Sequence, residues 1–206
     1  VVTSLIGTQS SMDPSALDGY LQEVCQQCWL ALLASMQLRD LLQLGAERLT
    51  RLRRPDASRV WHLQCWQAVQ TILSSGAALS RLLWPGGESS GSVARGAALR
   101  CALRVDDHSA LREPGLRYGA PDFDDARDRW LALHPDPGMD FDVSPAGGSG
   151  GQASVGARWR DPDSWVVRMF GIEIDLGGIV EEASRLQGVA TDLGSVWPLA
   201  GVWSSG

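Results

Sequence analysis

Leu17, Leu21, Val24, Cys28, Leu32 and Met36 recur at three- and four-residue steps, the period of one face of an α-helix. A face of this kind has to be buried against another element, and a chain that repeats it must build its core from helix on helix. Asp13-Pro14 supplies a cap followed by a proline at the first helical position, where the missing N–H costs nothing. The spacing predicts a helix from there to about Gly45, then a short helical piece, AERLTRLRR, that reaches Pro55. A second long helix starts at an Asp56 or Ser58 cap. Its stripe of Val69, Leu73, Gly76, Ser80 and Leu83 ends at Trp84-Pro85-Gly86-Gly87. Gly76 and Ala77 permit a close helix approach, so the two long helices pack together. VARGAALRCAL reads as a third helix. Pro121, followed by Asp122, Asp124 and Asp125 at the positive end of a helix dipole, opens a fourth that His134-Pro135 stops.

Beyond Pro135 the pattern changes. Residues 135–154 are rich in Gly, Pro and Ser without periodicity and read as a flexible loop. ASVGARWR and SWVVRMF flank Asp161-Pro162-Asp163, which suggests a hairpin turning there, with GIEIDL extending its second arm. Trp165, Val167 and Met169 alternate with Val166, Arg168 and Phe170, so one face of that arm should lie on the bundle. Leu176, Ile179, Val180, Ala183 and Leu186 give a last amphipathic helix. The expected organisation is a single domain over 1–206: a helical bundle at 13–134, the loop at 135–154, hairpin plus helix at 155–187 and a tail at 188–206. The expected fold class is mainly α, a bundle of four or five helices with a C-terminal β-hairpin and a final helix packed on it.

The chain has 206 residues, 24 acidic against 18 basic, for a net charge of −6, and every basic residue is arginine. A nucleic-acid binder usually shows a basic excess; no DNA partner is expected, and an RNA partner would need a local basic patch. No long apolar run suits a spanning helix, and VVTSLIGTQSSM lacks the charged and apolar parts of a secretory signal. The expected setting is cytoplasmic, without a membrane partner.

Cys25 and Cys28 form C-x2-C, and His62 with Cys65 forms H-x2-C. Zinc sites place such pairs on tight turns, whereas both pairs here fall inside helical patterns. Cysteine in such a place acts as a small buried hydrophobe, so Cys25 and Cys28 are expected to be buried and no metal or other cofactor is expected. His62, between Trp61 and Trp66, reads as a core or interface histidine, and His108 follows Asp106-Asp107 in a loop.

The segment GLRYGAPDFDDARDRWLALHP holds the remaining candidate chemistry. Its DDARD, Asp124 to Asp128, has the D-D-x-x-D spacing by which isoprenoid synthases hold magnesium diphosphate. No second metal-binding motif accompanies it. The alternative is an acidic first helical turn with Asp125 and Arg129 paired at i and i+4. Arg129-x4-His134 satisfies the Arg-x4-6-His pattern of a helical ribonuclease family, a spacing that chance supplies about once in a chain with this much arginine.

The order of LRDLLQL, LSRLLWPGG, RGAALRCAL, DFDDARDRWL and WRDPDSWVVRMFGIEIDLGGIV resembles bacterial helical proteins of HEPN type over roughly residues 15 to 187. The resemblance implies that Arg117 matches the motif arginine, while Tyr118 stands for the usual asparagine, Pro121 for glutamate and Asp122 for histidine. Phe123, Asp124, Asp125 and Arg129-Trp130 keep the pattern. In such ribonucleases histidine and arginine, often paired across a dimer, activate the ribose 2′-hydroxyl without metal. An aspartate at 122, with an ordinary pKa near 3.9, is a weaker base at neutral pH and repels phosphate. The resemblance therefore implies a motif that has lost its base: a HEPN-like protein, non-catalytic, binding RNA, a homodimer mate or another protein through its bundle. The alternatives are a metal-independent endoribonuclease using Arg117 or Arg129 with His134, and a structural interaction module unrelated to nucleic acid.

Overall fold

The computed structural model describes residues 14–52, 55–87, 89–113, 116, 128, 132–133, 165–169 and 172–194. They form a mainly helical protein in the order α1 (Pro14–Leu52), α2 (Pro55–Leu83), α3 (Ser90–Ala102), a 3-10 turn (Ala110–Arg112), β1 (Val166–Met169), β2 (Ile172–Asp175) and α4 (Leu176–Asp192). Of the expected fourth bundle helix, Asp128, Ala132 and Leu133 are helical, and the rest lies outside the described residues.

α1 is continuous over 39 residues and does not stop at Gly45. One interior glycine costs a helix about 1 kcal/mol relative to alanine, less than a break among good helix formers costs. α2 begins with proline at its first position rather than at an Asp56 or Ser58 cap. Two residues separate the helices, so they run antiparallel. The Trp61 indole N–H donates to the Leu41 carbonyl at 2.8 Å across their junction.

The buried side of α1 is Leu21, Val24, Cys25, Cys28, Ala31, Ala34, Ser35 and Leu38. Of the expected stripe, Leu21, Val24 and Cys28 are buried and Leu17 and Leu32 are half-buried against the core, but Met36 is 59% exposed. Four-residue steps overshoot a 3.6-residue turn, whereas alternating three- and four-residue steps keep to one side. On α2 the inward residues include Val69, Ile72, Leu79 and Leu83.

Gly76 does allow a close approach, but its neighbour is α4. A Cβ there would lie 3.0 Å from Ile179 Cγ2 and 3.5 Å from Leu116 Cδ2. α4 fills the groove between the long helices, packing on both, through Leu176, Ile179, Val180, Ala183, Leu186 and Ala190. It runs past the expected end at 187 to Asp192 because Ala190 continues the buried stripe. Its end is Gly194 at φ +88, a left-handed position that suits glycine.

SWVVRMF and GIEIDL form a hairpin with each other, so GIEIDL is a strand of its own. β1 pairs antiparallel with β2 in the register Val166↔Asp175, Val167↔Ile174, Arg168↔Glu173 and Met169↔Ile172. Two residues therefore separate the strands, and GIEIDL supplies the partner strand instead of extending SWVVRMF. The run 155–160 and the turn at 161–163 lie outside the described residues. Val167 and Ile174, directly opposite one another, face the bundle and are buried. The Leu176 N–H donates to the Trp165 carbonyl at 2.7 Å, and Asp175 caps α4 by accepting from the Gly178 N–H at 3.0 Å. The strand thus passes directly into the helix.

Arginine–aromatic stacks tie the elements laterally. Arg39 lies over Trp165 at 4.8 Å, Arg95 over Tyr20 at 5.0 Å and Arg100 over Trp84 at 5.7 Å. A planar guanidinium can stack and hydrogen-bond at once, and Arg100 also donates to the Leu83 carbonyl at the end of α2.

Candidate functional site

The residues singled out for chemistry, Arg117, Asp122, Arg129 and His134, lie outside the described residues, as does DDARD apart from the exposed Asp128. The structure describes the other candidates. Cys25, Cys28 and Cys65 are buried, as expected, and Cys101 is exposed. Burial pushes the Cys25 and Cys28 thiols up from their ordinary value and takes Cys65 to about 11. Such thiols stay protonated and serve as small apolar groups. His62 is half-buried, its ring set edge-on to Trp61 with centroids 4.9 Å apart. No group of three or more His, Cys, Asp or Glu among the described residues is placed to hold a metal ion.

A polar cleft of about 560 Å³ opens where the chain following α3 meets α4. One wall carries Arg104, Asp106, His108 and Ser109; the other carries Gly178, Glu181, Glu182 and Arg185, the i, i+3, i+4, i+7 face of α4. The first wall is shaped by the end of α3. The Val105 N–H donates to the Arg100 carbonyl at 2.9 Å and the Arg104 N–H to the Cys101 carbonyl at 3.3 Å, which places Arg104 at φ +53. Here a helix terminates on a left-handed residue that is not glycine, at a cost of about 1–2 kcal/mol. His108, exposed, donates its backbone N–H to Asp106 Oδ1 at 2.8 Å.

Glu182 is the centre of the cleft's hydrogen bonding. Its Oε2 accepts from Arg185 Nε at 2.8 Å, and its Oε1 accepts from Arg185 Nη2 and Ser109 Oγ, each at 2.8 Å. Arg185 Nη1 reaches the Leu103 carbonyl at 3.1 Å. The Arg185 hydrogen bonds, helped by Ser109, hold the Glu182 carboxyl below the usual carboxylate range against the opposing effect of burial. The same pair raises Arg185 above its ordinary value. Charge-assisted two-pronged contacts of this kind are strong and directional. Here they fasten the segment after α3 to α4, and the two charges neutralise each other.

Sequence reasoning missed this knot. Glu182 and Arg185 at i, i+3 were visible as an intrahelical pair. Ser109 is 73 positions away from Glu182, and no local pattern announces that contact.

No protein-family model, curated protein or solved structure matches the chain.

Proposed function

We propose that the protein is a HEPN-like binding protein without nuclease chemistry, which holds a partner through its helical bundle. The observation that carries this reading is the outward surface of the α1–α2 pair. From Val24 to Leu38 and from Val60 to Ser80 there is no Asp, Glu, Lys or Arg, although 20% of the whole chain is charged. Stretches of that length would ordinarily carry several charges. Solvent-facing sides of surface helices are normally charged and polar. Here Trp29, Leu30, Leu33 and Met36 on α1, with Val60 and Leu63 on α2, are 37–61% exposed. Large apolar groups on an uncharged surface are the composition of a protein-contact centre. A groove that tracks a nucleic-acid backbone needs cations, so the surface favours a protein partner over RNA. Asp122, standing where the family pattern has histidine, supports the absence of catalysis.

The test is RNA cleavage without divalent metal, comparing the natural chain with Arg117→Ala and His134→Ala. General acid–base catalysis typically supplies about 100- to 10,000-fold, so all three should remain at background. Robust cleavage by the natural chain, abolished by either substitution, would make the protein a ribonuclease and overturn the binding reading.

A further inference from the structure

We propose that the polar cleft between α4 and the segment after α3 binds a small ligand, an α-amino acid with a basic side chain. The cleft shares no residue with the outward α1–α2 face. Its ionised lining residues are Arg104, Arg185, Asp106, Glu181 and Glu182. Glu182 and Arg185 neutralise each other. Every nitrogen of the Arg185 guanidinium already donates, Nε and Nη2 to Glu182 and Nη1 to the Leu103 carbonyl, so Glu181, one turn earlier on α4, is left without it. Arg112 is engaged by Asp107 at 2.8 Å. The Arg104 guanidinium and the Glu181 carboxylate therefore have no ion-pair partner among the described residues, and Asp106 takes only the backbone N–H of His108.

Arg104 is the residue that points to a ligand. Its backbone, at φ +53, is one that glycine adopts without strain. Strained positions of this kind gather at binding sites, where the surroundings hold them, and here the strain presents a guanidinium that nothing else in the chain uses. Both walls are already fastened together through Ser109–Glu182 and Leu103–Arg185, so a ligand enters a site formed before it arrives and little ordering cost is added on binding. The volume of about 560 Å³ lies in the range of about 300–1,000 Å³ that small ligands occupy.

The unpaired groups choose the chemistry. With the Glu182–Arg185 pair set aside, Arg104 leaves one positive charge and Asp106 and Glu181 leave two negative charges. The complement is a molecule with one carboxylate and two cations. The planar fork of Arg104 suits a carboxylate, which it can hold in two places at once. Asp106 on one wall and Glu181 on the other take the α-ammonium and the side-chain cation. A simple anion would face an excess of carboxylates, and no group of three or more His, Cys, Asp or Glu among the described residues is placed to hold a metal ion.

Titration calorimetry of the full chain with lysine and arginine should give saturable binding by at least one of them. Alanine, glutamate and cadaverine, which is lysine without its carboxylate, should each bind about tenfold or more weaker, the scale of one lost hydrogen bond between charged groups. Arg104→Gly should abolish binding while the melting temperature of the unliganded chain holds or rises, because glycine relieves the left-handed backbone. A purely structural arginine would give the opposite, a lower melting temperature with binding retained. Glu181→Gln, at an exposed position, should remove most of the preference for lysine or arginine over alanine. Absence of saturable binding by lysine and arginine up to about 10 mM, cadaverine or glutamate binding as well as lysine, or Arg104→Gly binding as the natural chain does overturns the proposal. Should Arg104→Gly fail to fold, Glu181→Gln decides: an unchanged preference overturns the site, and its loss upholds it.

Discussion

Glu182 shows how one carboxylate can link parts of a chain that are far apart in sequence. It joins α4 to Ser109, and its partner Arg185 reaches Leu103. Because Arg185 holds its folded pKa below the unfolded value, its ionised form is the one that folding favours. That contribution is fully present above the ordinary carboxylate range and is lost as pH falls through the depressed folded value. Glu182→Gln should therefore lower stability at pH 7 by roughly 1–2 kcal/mol, the scale of a lost hydrogen bond to a charged group, moderated by the partial exposure of Arg185. Denaturant melts of the two chains from pH 7 down to about pH 3 should show the difference shrinking with acid; a constant difference would mean that charge is not its source. Individual burial was legible in the sequence where it followed a helical period, as with Cys28 and Ile179. The Glu182–Ser109 contact was not, because it depends on where a later helix lands on an earlier loop.

Among the described elements, α2 and α3 meet at a tight corner. A Cβ on Gly96 would lie 2.6 Å from Pro85 Cδ and 2.7 Å from the Leu83 carbonyl oxygen. Neither a proline ring nor a helix-end carbonyl can swing aside. Gly96→Ala should then cost about 1–3 kcal/mol, the usual range for forcing atoms into a filled space, even though alanine is the better helix former. Thermal unfolding checks this, and an unchanged or raised Tm would show that the corner can open. The same corner shows what pattern reading can and cannot reach at this scale. Trp84-Pro85-Gly86-Gly87 announced the end of α2, yet nothing in RGAALRCAL showed which face of α3 would touch it. Likewise, alternation identifies the strand that starts after Trp165, but not that Ile172–Asp175 pairs with it, because Asp161-Pro162-Asp163 is the stronger turn signal by composition and draws attention to the other side of the strand. Register was decided by which face Val167 and Ile174 had to bury.

At the scale of the molecule, the C-terminal hairpin and helix complete the core. α4 supplies six buried residues to the groove of the long helices, and Val167 and Ile174 add two more. Deleting residues 155–187 should expose that groove and give aggregation on expression; a soluble truncation that melts cooperatively would show that the appendage is dispensable. The mainly helical class was legible from apolar period alone. How the long helices are sealed was not, since the seal comes from a segment that begins 93 positions after α2 ends.

That separation also matters during synthesis. Leu38 leaves the ribosome about 150 residues before Leu186, and at typical elongation rates of 5–20 residues per second that delay is of order 10 s. Throughout it, the inner sides of α1 and α2 can cover each other but not the groove that α4 later fills. For its first seconds the nascent chain therefore presents a sticky apolar trough, attractive to chaperones and to neighbouring nascent chains on the same message.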